Sequence, residues 1–346
     1  MAYSLADNVQ NAILAVTNNY IPYVVGPVGV GKTQVCVKRC AEALAEKYNG
    51  IEPSVVFFPC AVIERQDIQI NALSKGVLTA HVTDALPKGG GDRDVPTLLV
   101  FDEIDKADPS IFPVISSLIT ERKLFGSDYA LKDNVHFLFL GNRTSDGTLG
   151  RRLPKNIINR LLVSEVTFDD QDRANWSAWA FKEGLATEVI AFLKYFPNHF
   201  TASEADHLGV QPTPRAWEKV GRLYPQLTKD NLRLFVASLV GEGIARAFAG
   251  FVKLANRLPD FDRIFAEPER CDAISEVQVL YLASASLVSR CETEDQVEAA
   301  ITFLSQTCGS REFTNSFVRD LVSSKPHLEQ TAAITRFRTD NANFTI

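Results

Sequence analysis

Gly26-Pro27-Val28-Gly29-Val30-Gly31-Lys32-Thr33 fits the pattern GxxxxGK[ST], and its flanks decide how it is read. The mostly apolar run Ile21 to Val25 precedes it. Beyond it, apolar residues recur at Val37, Cys40, Ala41, Leu44 and Tyr48 until Asn49-Gly50 stops the run. Strand, glycine-rich loop and helix in that order are the context of a phosphate-binding loop, which an ordinary glycine turn lacks. Glycines let successive backbone N–H groups converge on phosphate oxygens with no Cβ in the way. Lys32 supplies positive charge to the β- and γ-phosphates, and the Thr33 hydroxyl suits Mg²⁺. The octapeptide predicts a nucleoside triphosphate site, with Gly26, Pro27, Val28, Gly29, Val30, Gly31, Lys32 and Thr33 as its binding residues.

Further along, Leu98-Leu99-Val100-Phe101-Asp102-Glu103 is an apolar strand ending in two acids, a Walker B pattern. Such a strand carries Asp102 to the carboxyl edge of a sheet, where it can hold Mg²⁺ through water. Glu103 follows where it could polarise an attacking water. The alternative is an acidic turn, Asp102-Glu103-Ile104-Asp105, solvated at the surface; beside the P-loop the functional reading is favoured. The run Val135 to Leu140 ends in Gly141-Asn142-Arg143 and brings a neutral amide to the same edge. An amide donates and accepts at once, so Asn142 fits a sensor that orients the lytic water or touches the γ-phosphate. Asn after Gly is also a common turn residue.

Ser54 to Phe58 reads as a second strand, and Leu98 to Phe101, Val135 to Leu140 and a weaker run, Leu161 to Val166, are each short enough for a strand buried on both faces, which makes five. Strands alternating with helices predict a parallel α/β sheet. A first helix, Leu5 to Val16, is expected to pack beside the nucleotide base. From about Asp169 the period of two disappears and the remainder reads as helical, through Trp176, Trp179, Phe181, Ile190, Phe192, Leu193 and Phe196. Thr213 is expected as an N-cap with Pro214 at the first helical position. Leu232 to Leu254 reads as one long helix in which Gly241, Gly243 and Gly250 mark close packing or a bend. Pro87 to Asp92 reads as a mobile surface loop, and the chain after Lys325 as a polar tail. The division predicted is a nucleotide-binding core at 1–168, a helical lid at 169–257 and a helical C-terminal extension at 258–346.

Composition narrows the classes. The chain has 346 residues, 46% of them hydrophobic, which is enough for two or three packed units in a soluble globular protein. No stretch approaches the roughly 20 apolar residues of a membrane span, and Met1 to Asn8 lacks a signal-peptide pattern, so a cytoplasmic location is expected. Six cysteines without a CxxC pair or a nearby histidine read as reduced, mostly buried residues, not zinc ligands. A net charge of −6 argues against a broad nucleic-acid surface.

Two arginines stand out. Arg160, before the last strand, is the candidate arginine finger, a cation that can be lent by one subunit to its neighbour's phosphoryl group. Arg143, Arg151 and Arg152 compete for that role. Arg215 lies at the second position of a helix, where the dipole disfavours a cation; a phosphate nearby would explain it, as would pairing with Glu218.

Taken together, GPVGVGKT, LLVFDEIDKADPSIFPVISSLI, FLGNRTSDGTLGRRLPKNIINRL and PTPRAWEKV, in that order, resemble the AAA+ ATPases, and more closely the bacterial and phage MoxR-like ATPases. The resemblance spans roughly Tyr20 to Leu223. It implies a five-stranded P-loop core, a helical lid, ATP bound between them with Mg²⁺, and a homo-oligomer, usually a hexameric ring. Residue by residue, it implies phosphate and Mg²⁺ contacts at Lys32 and Thr33 and the Walker B pair at Asp102 and Glu103. It also implies sensor 1 at Asn142, the finger at Arg160 and sensor 2 at Arg215. It further implies an ATP-driven remodelling or assembly chaperone acting on a protein client, with a von Willebrand factor A domain protein as a partner by analogy. A nucleic-acid motor or a GTP-using restriction subunit is the competing function, unsupported by any basic helix or stacking motif. One departure is visible: Asp67-Ile68-Gln69-Ile70-Asn71 replaces a DLxG-like turn, which leaves the shape of the following insert open.

Overall fold

The computed structural model describes residues 2–74, 77–83, 85–124, 127–143, 150–201 and 209–341. The chain divides into two compact units, residues 1–172 and 173–346.

The first unit is built on β1 (Ala2–Tyr3), α1 (Leu5–Thr17), β2 (Pro22–Gly26), α2 (Lys32–Lys47), β3 (Ser54–Pro59) and α3 (Arg65–Ile68). It continues through β4 (Gln69–Ser74), β5 (Val77–Val82), β6 (Thr97–Asp102), α4 (Phe112–Glu121), β7 (Val135–Asn142), α5 (Lys155–Ile158) and β8 (Leu162–Val166). The main sheet runs β1-β8-β2-β7-β6-β3 and is parallel throughout. All five predicted strands are in it. The sixth, β1, pairs only Ala2 and Tyr3 with Glu165 and Val166.

Alternation along the central strands explains why they read as continuous apolar runs. Leu98, Val100, Leu138 and Leu140 share one buried cluster with Val9, Val16, Cys36 and Leu44 of α1 and α2. Leu99, Phe101, Phe137 and Phe139 point into a second cluster, with Ile111 and with Val114, Ile115 and Leu118 of α4. Helices therefore cover both faces. Phe101 stacks on Phe139 at 4.5 Å, and truncating such a fully buried ring costs about 3–5 kcal/mol. The insert after Ile68 is an antiparallel hairpin, β4 against β5, whose tip residues 75 and 76 lie outside the described residues.

The tract Pro87 to Asp92 is not the mobile surface loop its composition suggests. Gly90 is buried, its carbonyl accepts from Lys132 N at 2.8 Å, and Tyr129 donates its hydroxyl to Pro87 O at 2.7 Å. Asn134 donates to the carbonyls of Asp92, Arg93 and Val95. A Cβ on Gly90 would stand 1.8 Å from the Ala130 carbonyl oxygen, at a φ of +80°. The glycine is there because another backbone passes against it.

The second unit has no strand among its described residues. It contains α6 from Arg173 onward (the helix is Asp170–Lys182), α7 (Thr187–Tyr195), α8 (Pro214–Leu223), α9 (Leu232–Val240), α10 (Glu242–Val252) and α11 (Phe261–Ala266). After these come α12 (Val277–Arg290), α13 (Glu294–Thr302), α14 (Arg311–Ser324) and α15 (Ala332–Asp340). Phe192 of α7 meets Trp217, Phe248 and Phe251 with ring centroids 5.2 to 5.5 Å apart. A second cluster gathers Phe303, Phe317, Leu321 and Ile334.

Two expectations are corrected in this unit. The stretch from Leu232 is two helices, broken at Gly241, whose φ of 89° and ψ of 153° only glycine adopts readily. Gly243 and Gly250 have open space where a Cβ would stand, so they mark no close packing. The segment after Lys325 is no mere polar tail either: Ala333, Ile334 and Phe337 bury one face of α15. Residues 342–346 lie outside the described residues.

Candidate nucleotide site

The parallel sheet brings three separate segments to one carboxyl edge. Gly26 closes β2 opposite Asn142 of β7, and Asp102 closes β6 opposite Pro59 of β3. The P-loop leaves that edge with Gly29 and Gly31 at φ 76° and 91°, conformations that a side chain would penalise. Gly31 caps α2 without a side-chain bond, so the N–H groups of the first turn point into the loop. Gly26 is required by space: a Cβ there would lie 2.7 Å from Val166 Cβ on the neighbouring strand.

Lys32 is 7% exposed. It donates through Nζ to the carbonyls of Gly26 at 2.7 Å and Pro27 at 2.6 Å and to Asn142 Oδ1 at 3.2 Å. The lysine and the Asn142 amide, 110 residues apart in sequence, thus meet directly. Thr33 donates its hydroxyl to Asp102 Oδ1 at 3.2 Å. Burial raises the Asp102 carboxyl above its ordinary range, against hydrogen bonds from Glu103 N and Thr33 that lower it. A hydroxyl and a half-buried carboxylate side by side, both oxygen donors, suit a hard divalent cation. No cluster of three or more histidine, cysteine or acidic residues among the described residues forms an all-protein metal cage.

Glu103 sits in the left-handed region at φ 52°, ψ 39°, unusual for a residue with a long side chain. The conformation turns the chain sharply out of β6 into the 3₁₀ turn Ile104–Lys106. Its carboxylate, nearly half exposed, pairs with Lys106 Nζ at 2.5 Å. Lys106 and Asp105 belong to this site although sequence reasoning singled out neither. Asp105 is buried, not solvated as the acidic-turn reading supposes, and its Oδ1 accepts the Asn142 N–H at 2.9 Å.

The arginines separate cleanly. Arg143 is spoken for: it pairs with Glu165 at 2.8 Å and donates to the Val166 carbonyl, both on β8 of its own sheet. Arg151, Arg152 and Arg160 are exposed. Arg160 donates to the Asn156 carbonyl and stands just ahead of β8, where Leu162 aligns with Pro22 at the amino end of β2. Gly26 lies four residues further along β2, about 13 Å, farther than an arginine side chain reaches. Residues 144–149, in the segment joining Asn142 to these arginines, lie outside the described residues.

In the second unit Thr213 accepts from Ala216 N as N-cap of α8, with Pro214 in the first turn. Arg215 follows, exposed. Glu218 pairs with Arg222 at 3.0 Å instead, and no carboxylate pairs with Arg215 among the described residues.

Residues 23–161 match the family profile of the AAA domain, dynein-related subfamily. The fold of the first unit is accordingly an AAA+ P-loop domain, followed by a helical C-terminal region. No curated protein matches the chain. Among solved structures it is similar to NtrX from Brucella abortus in complex with ATP, at 16% identity and a TM-score of 0.43, covering 94% of this chain and 69% of that one. Another NtrX structure is matched over 65% of this chain and 51% of its own length, so the chain spans about half of that protein. A putative ATPase from Cytophaga hutchinsonii (10% identity, TM-score 0.31, 91% and 92% covered) is a further likeness. So is a point mutant of RuvB from Thermotoga maritima, at 17% identity and a TM-score of 0.32, with 82% and 81% covered. Among the described residues no helix is long and apolar enough to cross a membrane.

Proposed function

We propose that the protein binds ATP with Mg²⁺ at the P-loop and hydrolyses it. The observation that carries this reading is the convergence of Lys32, Thr33, Asp102 and Asn142, from three segments, within hydrogen-bond distance at one sheet edge. The backbone N–H groups of the loop and Lys32 hold the β- and γ-phosphates, and their positive field favours charge developing on the transferring group. Thr33 and Asp102 would hold Mg²⁺, which when bound neutralises phosphate charge. Glu103 accepts the proton of the attacking water, and Asn142 orients that water. Hydrolysis then breaks the bond between the β-bridging oxygen and the γ-phosphorus, releasing ADP and phosphate.

Arg160 completes a site on a second copy. Its place ahead of β8, towards the amino end of the sheet, supports a homo-oligomer in which each subunit lends this arginine to the next. A hexameric ring is the arrangement proposed, with residues 169–257 as a lid and Arg215 as its phosphate-sensing residue. Residues 258–346 form the extension. On this reading the protein is a MoxR-like remodelling or assembly chaperone in the cytoplasm, with a protein client and a von Willebrand factor A domain protein as candidate partner.

The test is Mg²⁺-dependent phosphate release by the purified protein. Lys32→Ala should lose nucleotide binding, whereas Arg215→Ala should bind nucleotide yet turn over more slowly. Phosphate release from Lys32→Ala at the wild-type rate would sink the assignment.

A further inference from the structure

Asp105 is the most deeply buried acid near the site, at 1% exposure, and the hydrolytic reading above leaves it without a role. Burying a carboxylate is costly, so its retention asks for a reason. Two hydrogen bonds supply one. Its Oδ1 accepts the N–H of Asn142, and its backbone carbonyl accepts the N–H of Arg151 at 2.6 Å. A single residue in the turn after Glu103 therefore fastens the end of the sensor strand and the start of the segment leading to α5.

The packing around it is built for that contact. A Cβ on Gly141 would lie 2.9 Å from Asp105 Oδ1 and 2.6 Å from the Tyr23 hydroxyl oxygen, so only glycine lets the carboxylate reach β7. Tyr23 is buried, and burial first, then the Asp105 charge, push its phenol well above the ordinary range. The hydroxyl stays protonated beside the carboxylate. Asp105 Oδ2 is buried and meets no donor among the described residues, so reaching β7 costs the carboxyl part of its solvation.

We propose that Asp105 is a positioning residue that locks the Asn142 backbone to the Asp102-Glu103 turn, so that the sensor amide keeps its place beside Lys32 while phosphate chemistry proceeds. The chain of contacts is explicit: Asp105 Oδ1 holds Asn142 N, and Asn142 Oδ1 holds Lys32 Nζ. This inference rests on the hydrolytic reading. A displacement of about 1 Å at such a point costs about a hundredfold in rate with little effect on ground-state binding.

The experiment measures ATP turnover, affinity for a fluorescent ATP analogue and thermal unfolding in wild type, Glu103→Gln, Asp105→Ala, Asp105→Asn and Gly141→Ala. Asp105→Ala should lose turnover by between about ten- and a hundredfold while its nucleotide affinity stays within about twofold. Asp105→Asn keeps an oxygen acceptor for the Asn142 N–H and should recover most of the rate. Gly141→Ala leaves the Asp105 charge in place but crowds it off β7, and should repeat the Asp105→Ala loss. It decides the matter if Asp105→Ala does not fold. Turnover within about twofold of wild type in Asp105→Ala or Gly141→Ala overturns the proposal. So does a parallel loss of affinity, stability and rate that Asp105→Asn fails to repair. Wild-type protein without turnover would sink the hydrolytic reading as well. Active wild type, dead Glu103→Gln and normal Asp105→Ala would sink the positioning role alone.

Discussion

His136 makes the stability of the first unit acid-sensitive, and the size of the effect follows from its surroundings. The ring lies on β7, 3% exposed, with Nε2 3.0 Å from the Tyr48 hydroxyl at the end of α2. It also bonds the Val16 carbonyl of α1, which can only accept, so the ring is a donor there and Nε2 accepts from Tyr48. Neutral imidazole satisfies both contacts. Burial first, then the nearby Lys47 and Arg122 charges, bring the imidazolium pKa from 6.5 down to about 4. The sign follows directly. Below pH 6.5 the unfolded chain binds a proton that the folded chain refuses, so stability falls as pH drops from 6.5 towards 4 and then levels off. A gap of about 2.5 pKa units corresponds to about 3 kcal/mol over that window. Asp102, whose carboxyl burial raises above its ordinary range, acts in the opposite sense. The clean quantity is therefore the difference between wild type and His136→Gln. Urea unfolding at pH 7, 5.5 and 4 should show wild type losing about 3 kcal/mol relative to the variant, half of it near pH 5. A difference that stays flat across those pH values would refute the buried neutral histidine.

Further outcomes follow from the geometry. Gly90→Ala should destabilise the first unit by about 2–5 kcal/mol in chemical unfolding, since it combines a positive φ with a collision against the Ala130 carbonyl. Gly89→Ala, in open space, should cost only about 1–2 kcal/mol. Arg160→Ala should bind ATP normally and fail to turn over. Mixing it with Lys32→Ala should restore part of the activity, because the second variant still offers Arg160 to an intact P-loop; no recovery would argue against action between subunits. Thr33→Ala should weaken Mg²⁺-dependent nucleotide binding more than binding in EDTA, read by titration with a fluorescent analogue.

What could be read from sequence was what repeats or punctuates. Leu98 to Phe101 and Val135 to Leu140 carry apolar residues on both faces because helices cover both, and that continuity is visible in one dimension. That Lys32, Thr33, Asp102 and Asn142 meet at one sheet edge is legible because each stands at a fixed place after a strand. Asp105 was not, because its burial depends on an N–H from a strand 37 residues away. The Pro87 to Asp92 tract misleads for the same reason, since three positive-φ glycines look like a free loop until the Ala130 backbone is laid beside them. Gly241 stands out within its apolar run, but the sequence does not distinguish a bend from a break; its φ and ψ do. That Arg143 is engaged was equally hidden, for its partner Glu165 lies on a strand with no motif of its own.

The central claim is that the P-loop and the Asp102-Glu103 pair form one hydrolytic site. Its most direct test compares wild type with Glu103→Gln in paired assays of ATP binding and steady-state phosphate release. The isosteric amide keeps the shape of the site but cannot accept a proton, so binding should match wild type while turnover falls by about a hundredfold or more. Phosphate release at the wild-type rate from Glu103→Gln would contradict it.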